Sequence, residues 1–212
     1  MTNFIIVIHM FLLFLSHGMA YAEELRSPID KPAALSFRWY YNPKGEPSWL
    51  DSGEGLKLVE EALKAWSPCG VRFEFAGVTN HLPGVRDGLN VIGWDGKLGP
   101  GKRAITKKMA SRKMPVMEQD VAFSSSRDEL RRYPRLLRKV MMHEIGHVLG
   151  LKHSPDCGEV MSLGADCRGV TPLMLPFEPT PNDMNICISL ASERFSVPKK
   201  MGLESGQMNE SK

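Results

Sequence analysis

The sequence has no apolar run long enough to cross a bilayer comfortably, no CxxC pair and no internal repeat. Its longest apolar stretch, residues 4–15 (FIIVIHMFLLFL), falls short of the roughly 20 residues that a membrane helix needs. That length suits a signal-peptide core instead, and Ala20-Tyr21-Ala22 supplies an A-x-A cleavage site. Lys and Arg are missing ahead of the run, which keeps an uncleaved anchor as the competing reading. The expectation is a signal peptide over residues 1–22, a mature chain starting near Glu23, and export to a secreted or periplasmic location. A membrane enters only if that segment is retained. Without a CxxC pair, the four cysteines Cys69, Cys157, Cys167 and Cys187 do not look like a metal cluster. An even number in an exported chain points to disulfides, with three pairings open. The pairing favoured is Cys157–Cys167, clamping the loop around Met161, with Cys69–Cys187 tying an early helix end to a late helix. A zinc site built on these thiolates is the alternative.

Excess charge is also lacking, since the formal net charge is only +3. It is unevenly spread: residues 97–139 hold thirteen Lys or Arg against four Asp or Glu, so the remainder is acidic. Such runs are mostly solvated surface, and no nucleic-acid partner is expected. A content of 42% apolar and 24% charged residues over 212 positions is that of one soluble domain with a sizeable core.

What is present is HEIGHVLGLKHS, His143 to Ser154. Four residues are just over one helical turn, so His143 and His147 project from one face and can close on one zinc ion. Glu144 lies about 100° round the helix from His143, near the metal without ligating it, where a general base for a metal-bound water belongs. Gly150 permits the left-handed conformation with which a helix can stop sharply. The turn then returns His153 as a third ligand, leaving one position open, as in catalytic zinc sites.

Around this stretch the pattern alternates between period two and helical period. Residues 33–41 read as a half-buried strand on Leu35, Phe37, Trp39 and Tyr41. Asp51 opens a helix, with Glu54 completing a capping-box-like pair and Val59, Ala62, Leu63 and Trp66 facing the core. The helix ends by Ser67-Pro68. Strands follow at Val71, Phe73 and Phe75, at residues 89–94, at about 103–109 and at about 116–123. Pro134 suits the first turn of the next helix, whose buried stripe is Leu137, Val140, Met141, Ile145, Val148 and Leu149. Residues 162–181 read as loop. A last helix over 182–195 turns Ile186, Leu190 and Cys187 inward, and residues 196–212 read as a disordered tail.

The spacing HExxHxxGxxH resembles the zinc consensus of the metzincin peptidases. Ser154 directly after the third histidine resembles the matrixin branch, the family of matrix metalloproteinases and their relatives. The metzincin Met-turn methionine follows that histidine by eight residues in matrixins, and Met161 falls there. ALKAWSPCGVRFEFAG, NVIGWDG and MEQDVAFSSS are similar to matrixin strand and helix signatures. In PNDMNICISL, Asp183 matches an acidic position that usually braces the Met-turn.

The resemblance implies an α+β, zincin-like catalytic domain over residues 23–195: a twisted five-stranded mixed sheet, an active-site helix, a Met-turn and a C-terminal helix. It implies a monomeric endopeptidase with one catalytic zinc, Glu144 as general base and Met161 as the floor of the site. The fourth strand becomes the exposed sheet edge on which an extended peptide binds, flanked by Lys102, Arg103, Lys107 and Lys108. Those charges favour acidic peptides, or else only guard the edge against aggregation. Calcium is compatible but nothing in the sequence indicates it.

Several positions depart from the family. There is no room for a cysteine-switch propeptide between residues 23 and 33, so that kind of activation is not expected. His81 alone stands where the second, structural zinc needs a cluster, and Ser162 and Leu163 replace the usual Tyr and Pro after the Met-turn methionine. Two other functions remain open, a non-catalytic zinc-stabilised binding module and a zinc amidase acting on peptidoglycan peptides.

Overall fold

The computed structural model describes residues 35–109, 118–163, 167–171 and 174–195. The expected signal peptide, residues 23–34, the start of the fifth strand at 116–117 and the expected tail lie outside them. The described chain runs β1 (Leu35–Asn42), α1 (Glu54–Trp66), β2 (Val71–Val78), β3 (Val91–Asp95), β4 (Ala104–Met109) and β5 (Glu118–Ser124). It continues through α2 (Asp128–Arg132), α3 (Pro134–Leu149) and α4 (Pro181–Phe195). Among the described residues no helix is long and apolar enough to cross a membrane.

The five strands form one mixed sheet, as the resemblance implies, in the order β2-β1-β3-β5-β4. Neighbours are parallel except β4, which runs antiparallel to β5 and closes one edge. In β1 the period of two holds: Trp39 and Tyr41 are buried, while Ser36 and Arg38 face solvent. The alternation fades along β2, the opposite edge of the sheet, where Val71 is buried but Phe75 is 45% exposed. The core joins Val59, Leu63 and Trp66 of α1 and Leu137, Met141 and Ile145 of α3 to Trp94 and Phe123 of the sheet. Two buried indoles in it are matched, as burial demands: Trp66 Nε1 donates to the Met142 carbonyl at 3.0 Å and Trp94 Nε1 to Tyr41 Oη at 2.8 Å.

Some expectations are corrected. Helix α1 starts at Glu54 rather than Asp51, because residues 51–54 form a turn and Gly53, at φ 81°, redirects the chain. Only half of the capping box forms, with Glu54 Oε2 accepting the Asp51 N–H at 3.4 Å. Strand β3 starts at Val91, since the Leu89 N–H is taken by Asp87 Oδ1 at 3.0 Å. Ile186 is 42% exposed, whereas Cys187 is buried and Leu190 packs on the core as expected, with Asp183 also turned inward. Helix α2 was not expected. It is held by Asp128 and Glu129 in its first turn, Arg131 and Arg132 in its last, and the buried Leu130.

The loop before β3 is tied to β5 through carboxylates. Asp120 accepts the N–H of Gly84 at 2.5 Å and of Val91 at 2.7 Å, and Glu118 accepts that of Gly88 at 2.7 Å. Burial pushes the Asp120 carboxyl up to about 6. Both disulfides are those expected, Cys69–Cys187 and Cys157–Cys167.

Candidate metal centre

Helix α3 carries the first two histidines. Its start has Pro134 in the first turn, where a missing N–H costs nothing. All six residues of the expected stripe are buried, which fixes the helix rotation. His143 and His147 then share the opposite face, with ring centroids 4.7 Å apart.

Gly150 ends the helix at φ 101°, in the left-handed region. The Gly150 N–H bonds the His147 carbonyl at 3.0 Å and the Leu151 N–H bonds the Gly146 carbonyl at 3.0 Å, a Schellman stop. The next segment is pinned by Ser154, whose N–H reaches the Met161 carbonyl at 3.0 Å. His153, exposed, is thereby carried back to the helix, with its Nε2 at 3.0 Å from that of His147.

The ligand atoms of His143, His147 and His153 all lie within 4.8 Å of one another. His143 Nδ1 donates to the Val160 carbonyl at 3.0 Å and His147 Nδ1 to the Leu151 carbonyl at 2.8 Å. A carbonyl only accepts, so these Nδ1 atoms carry the protons and each Nε2 presents a lone pair. Tetrahedral zinc with bonds of about 2.0–2.1 Å sets its nitrogens about 3.3 Å apart, close to the 3.0 Å between His147 and His153, and all three ligand atoms lie within 4.8 Å. Burial pushes His143 down to about 4 and also lowers His147. Both rings are therefore neutral near pH 7, the form that binds a metal. The donor set fits zinc.

Glu144, 8% exposed, points to the same region. Burial raises its carboxyl, and a hydrogen bond from Thr106 opposes that shift. Thr106 Oγ1, on β4, lies 2.6 Å from Glu144 Oε2 and 3.0 Å from the Glu144 carbonyl. Its single proton serves one of these at a time.

Met161 is buried in a turn over residues 159–162, closed by the Ser162 N–H on the Glu159 carbonyl at 3.2 Å. Its Sδ packs on Gly146, where an added Cβ would overlap the sulfur and press on Trp66. Asp183, 0% exposed, accepts the Val160 N–H at 3.0 Å, so α4 holds the backbone at the residue whose carbonyl, in the next peptide unit, orients His143.

Strand β4 is a sheet edge, and Lys107 and Lys108 on it are exposed, as is Lys102 before it. Arg103 is paired with Glu129 at 2.8 Å. His81 is paired with Asp87 at 2.6 Å, and the three-histidine group is the one metal-type cluster found among the described residues. The sequence reading missed Thr106, Gly146 and Lys139. Lys139 lines a cavity of about 290 Å³ beside the histidines, together with Arg103, Leu136, His143, Glu144 and Ser162.

Residues 104–169, from the edge strand through the third histidine, match the matrixin peptidase family. This segment is matrixin-like. It contains the histidine triad, Glu144 and the turn around Met161. No curated protein matches the chain. Among solved structures it is similar to the GM1 bound form of the ECX AB5 holotoxin, at 14% identity and a TM-score of 0.48, covering 73% of this chain and 80% of that one.

Proposed function

We propose that this chain is an exported, monomeric zinc endopeptidase that cuts extended peptides lying along the β4 edge. The observation that carries the reading is the convergence of three imidazole nitrogens beside a buried glutamate, within a matrixin-like segment. Zinc bound there supplies a Lewis acid for the scissile carbonyl and makes water nucleophilic at neutral pH.

The remaining work belongs to the chain. His143, His147 and His153 hold the ion, with the first two kept in the right tautomer by the Val160 and Leu151 carbonyls. Glu144 takes the attacking water's proton on its carboxylate and hands it to the leaving amine. Thr106 fixes the direction of that carboxylate. The outer edge of β4 offers backbone groups on which a peptide can add as a sixth strand. The turn around Met161 serves as the Met-turn, supporting the histidines from below without ligating the metal.

Glu144→Ala tests the assignment. The variant should keep zinc and the fold, read by metal analysis and circular dichroism, and lose hydrolysis of denatured proteins. Retained turnover would overturn the role of Glu144.

A further inference from the structure

One wall of the cavity beside the metal centre has no part in the reaction described above. Lys139 forms it, entering from α3 one turn before His143. The residue is 5% exposed, and among the described residues its ammonium meets neutral oxygens: Val160 O at 3.3 Å, Ser162 Oγ at 3.3 Å and Ser162 O at 3.5 Å. All three are longer than the roughly 2.7–2.9 Å of a charge-assisted bond to a carboxylate. Among the described residues no carboxylate lies within ion-pair distance of it. Asp183 acts only from further off, and burial pushes the amine down to about 8, so it stays largely charged at neutral pH. Arg103, the other cation on the wall, already has Glu129 as its partner.

A buried ammonium without a carboxylate is costly, and a carboxylate brought from outside offsets that cost. The volume of about 290 Å³ sits at the bottom of the range for small-molecule pockets, which suits one side chain better than a separate ligand. His143 and Glu144 line the same cavity, so a side chain that enters it belongs to a residue beside the bond being cut. Ser162, whose Oγ accepts from the ammonium at 3.3 Å, lines the same cavity.

We infer that Lys139 makes this cavity a subsite for an acidic side chain, Glu or Asp, at a residue flanking the scissile bond. The inference rests on the endopeptidase reading. A lysine that merely braced the turn around Met161 would confer no preference for charge in the substrate.

The test uses the full zinc-loaded chain and peptides that differ only in Glu, Gln or Leu on either side of the scissile bond. At one of the two positions the Glu peptide should exceed the Gln peptide in kcat/KM by about tenfold or more, the size of one charged hydrogen bond. Lys139→Met should move the preference toward Leu, and Lys139→Arg should keep Glu ahead of Gln. Binding of the same peptides to the Glu144→Gln chain, followed by fluorescence anisotropy, should rank them alike without turnover. Equal cleavage of the Glu and Gln peptides by the native chain overturns the subsite and leaves the endopeptidase standing. So does a Glu preference unchanged in Lys139→Met. Discrimination in binding with no cleavage at all supports the subsite and overturns the endopeptidase. The Glu-to-Gln ratio comes from the native chain, so a Lys139→Met chain that fails to fold does not remove the test.

Discussion

Thr106 touches Glu144 from a strand 38 residues earlier in the chain, and the contact is short, at 2.6 Å. A hydroxyl in that place narrows the directions open to the carboxylate without adding charge. Removing such an orienting partner typically costs about 10–100-fold in activity. Thr106→Val should therefore lower kcat by that order with KM little moved, while Thr106→Ser, which keeps the hydroxyl, recovers most of it. Equal losses in both variants would mean that the methyl group's packing, rather than the hydrogen bond, is what matters. Neither Thr106 nor Lys139 could be picked out of the sequence. Thr106 is an ordinary strand residue until the fold brings Glu144 beneath it. Lys139 sits in a basic run that reads as surface, and its burial depends on carbonyls 21 and 23 residues away. The three histidines and Glu144 were legible because their geometry is written in short spacings on one helix and its stop.

At the scale of elements, legibility followed periodicity. The stripe of α3 and the strand β1 were readable because burial on one face imposes a repeat, whereas β5 is buried along nearly its whole length and β4 is only half-buried. Helix α2, with five residues, is too short to show one. Ile186 misled because α4 is anchored by a carboxylate and a disulfide, which rotate its hydrophobic positions partly outward. The clasp of the β2–β3 loop on β5 gives a prediction at this scale. Burial holds the Asp120 carboxyl at about 6, with Glu118 and Asp87 adding to the rise, against about 3.9 in an unfolded chain. The folded state therefore binds a proton that the unfolded chain has released between those values. The stability this contributes is complete below about pH 4 and is lost as the pH rises through 6. Asp120→Asn removes the titration, so the margin of the native chain over the variant should shrink from pH 4 to pH 7 in urea midpoints. A margin that stays flat would contradict the buried carboxyl.

For the whole molecule, the longest constraint is Cys69–Cys187, which joins the end of α1 to α4 across 118 positions. Closing so long a loop restricts the unfolded chain strongly, and loss of a native bridge of this kind typically costs about 2–5 kcal/mol. Replacing both Cys69 and Cys187 with Ser should lower the unfolding free energy by that amount, measured by denaturant titration. A change below about 1 kcal/mol would show that packing of α4 on the core already supplies the constraint. The pairing was readable because the two elements were expected to meet. Asp183, which the resemblance placed as a brace for the Met-turn, works from the same helix by accepting the Val160 N–H. What the sequence did not show is that the Val160 carbonyl steers His143.

The three imidazoles also differ in when they come into place. Two are rungs of one helix and stand ready as soon as it winds. The third stands on a loop whose downstream turn, around Met161, is cinched by Cys157–Cys167. Before those thiols are oxidised, nothing covalent holds that turn, and two nitrogens grip an ion far less firmly than three. The bridge adds a covalent hold to a turn that the Ser154–Met161 and Val160–Asp183 hydrogen bonds also close, on the side from which the third imidazole approaches.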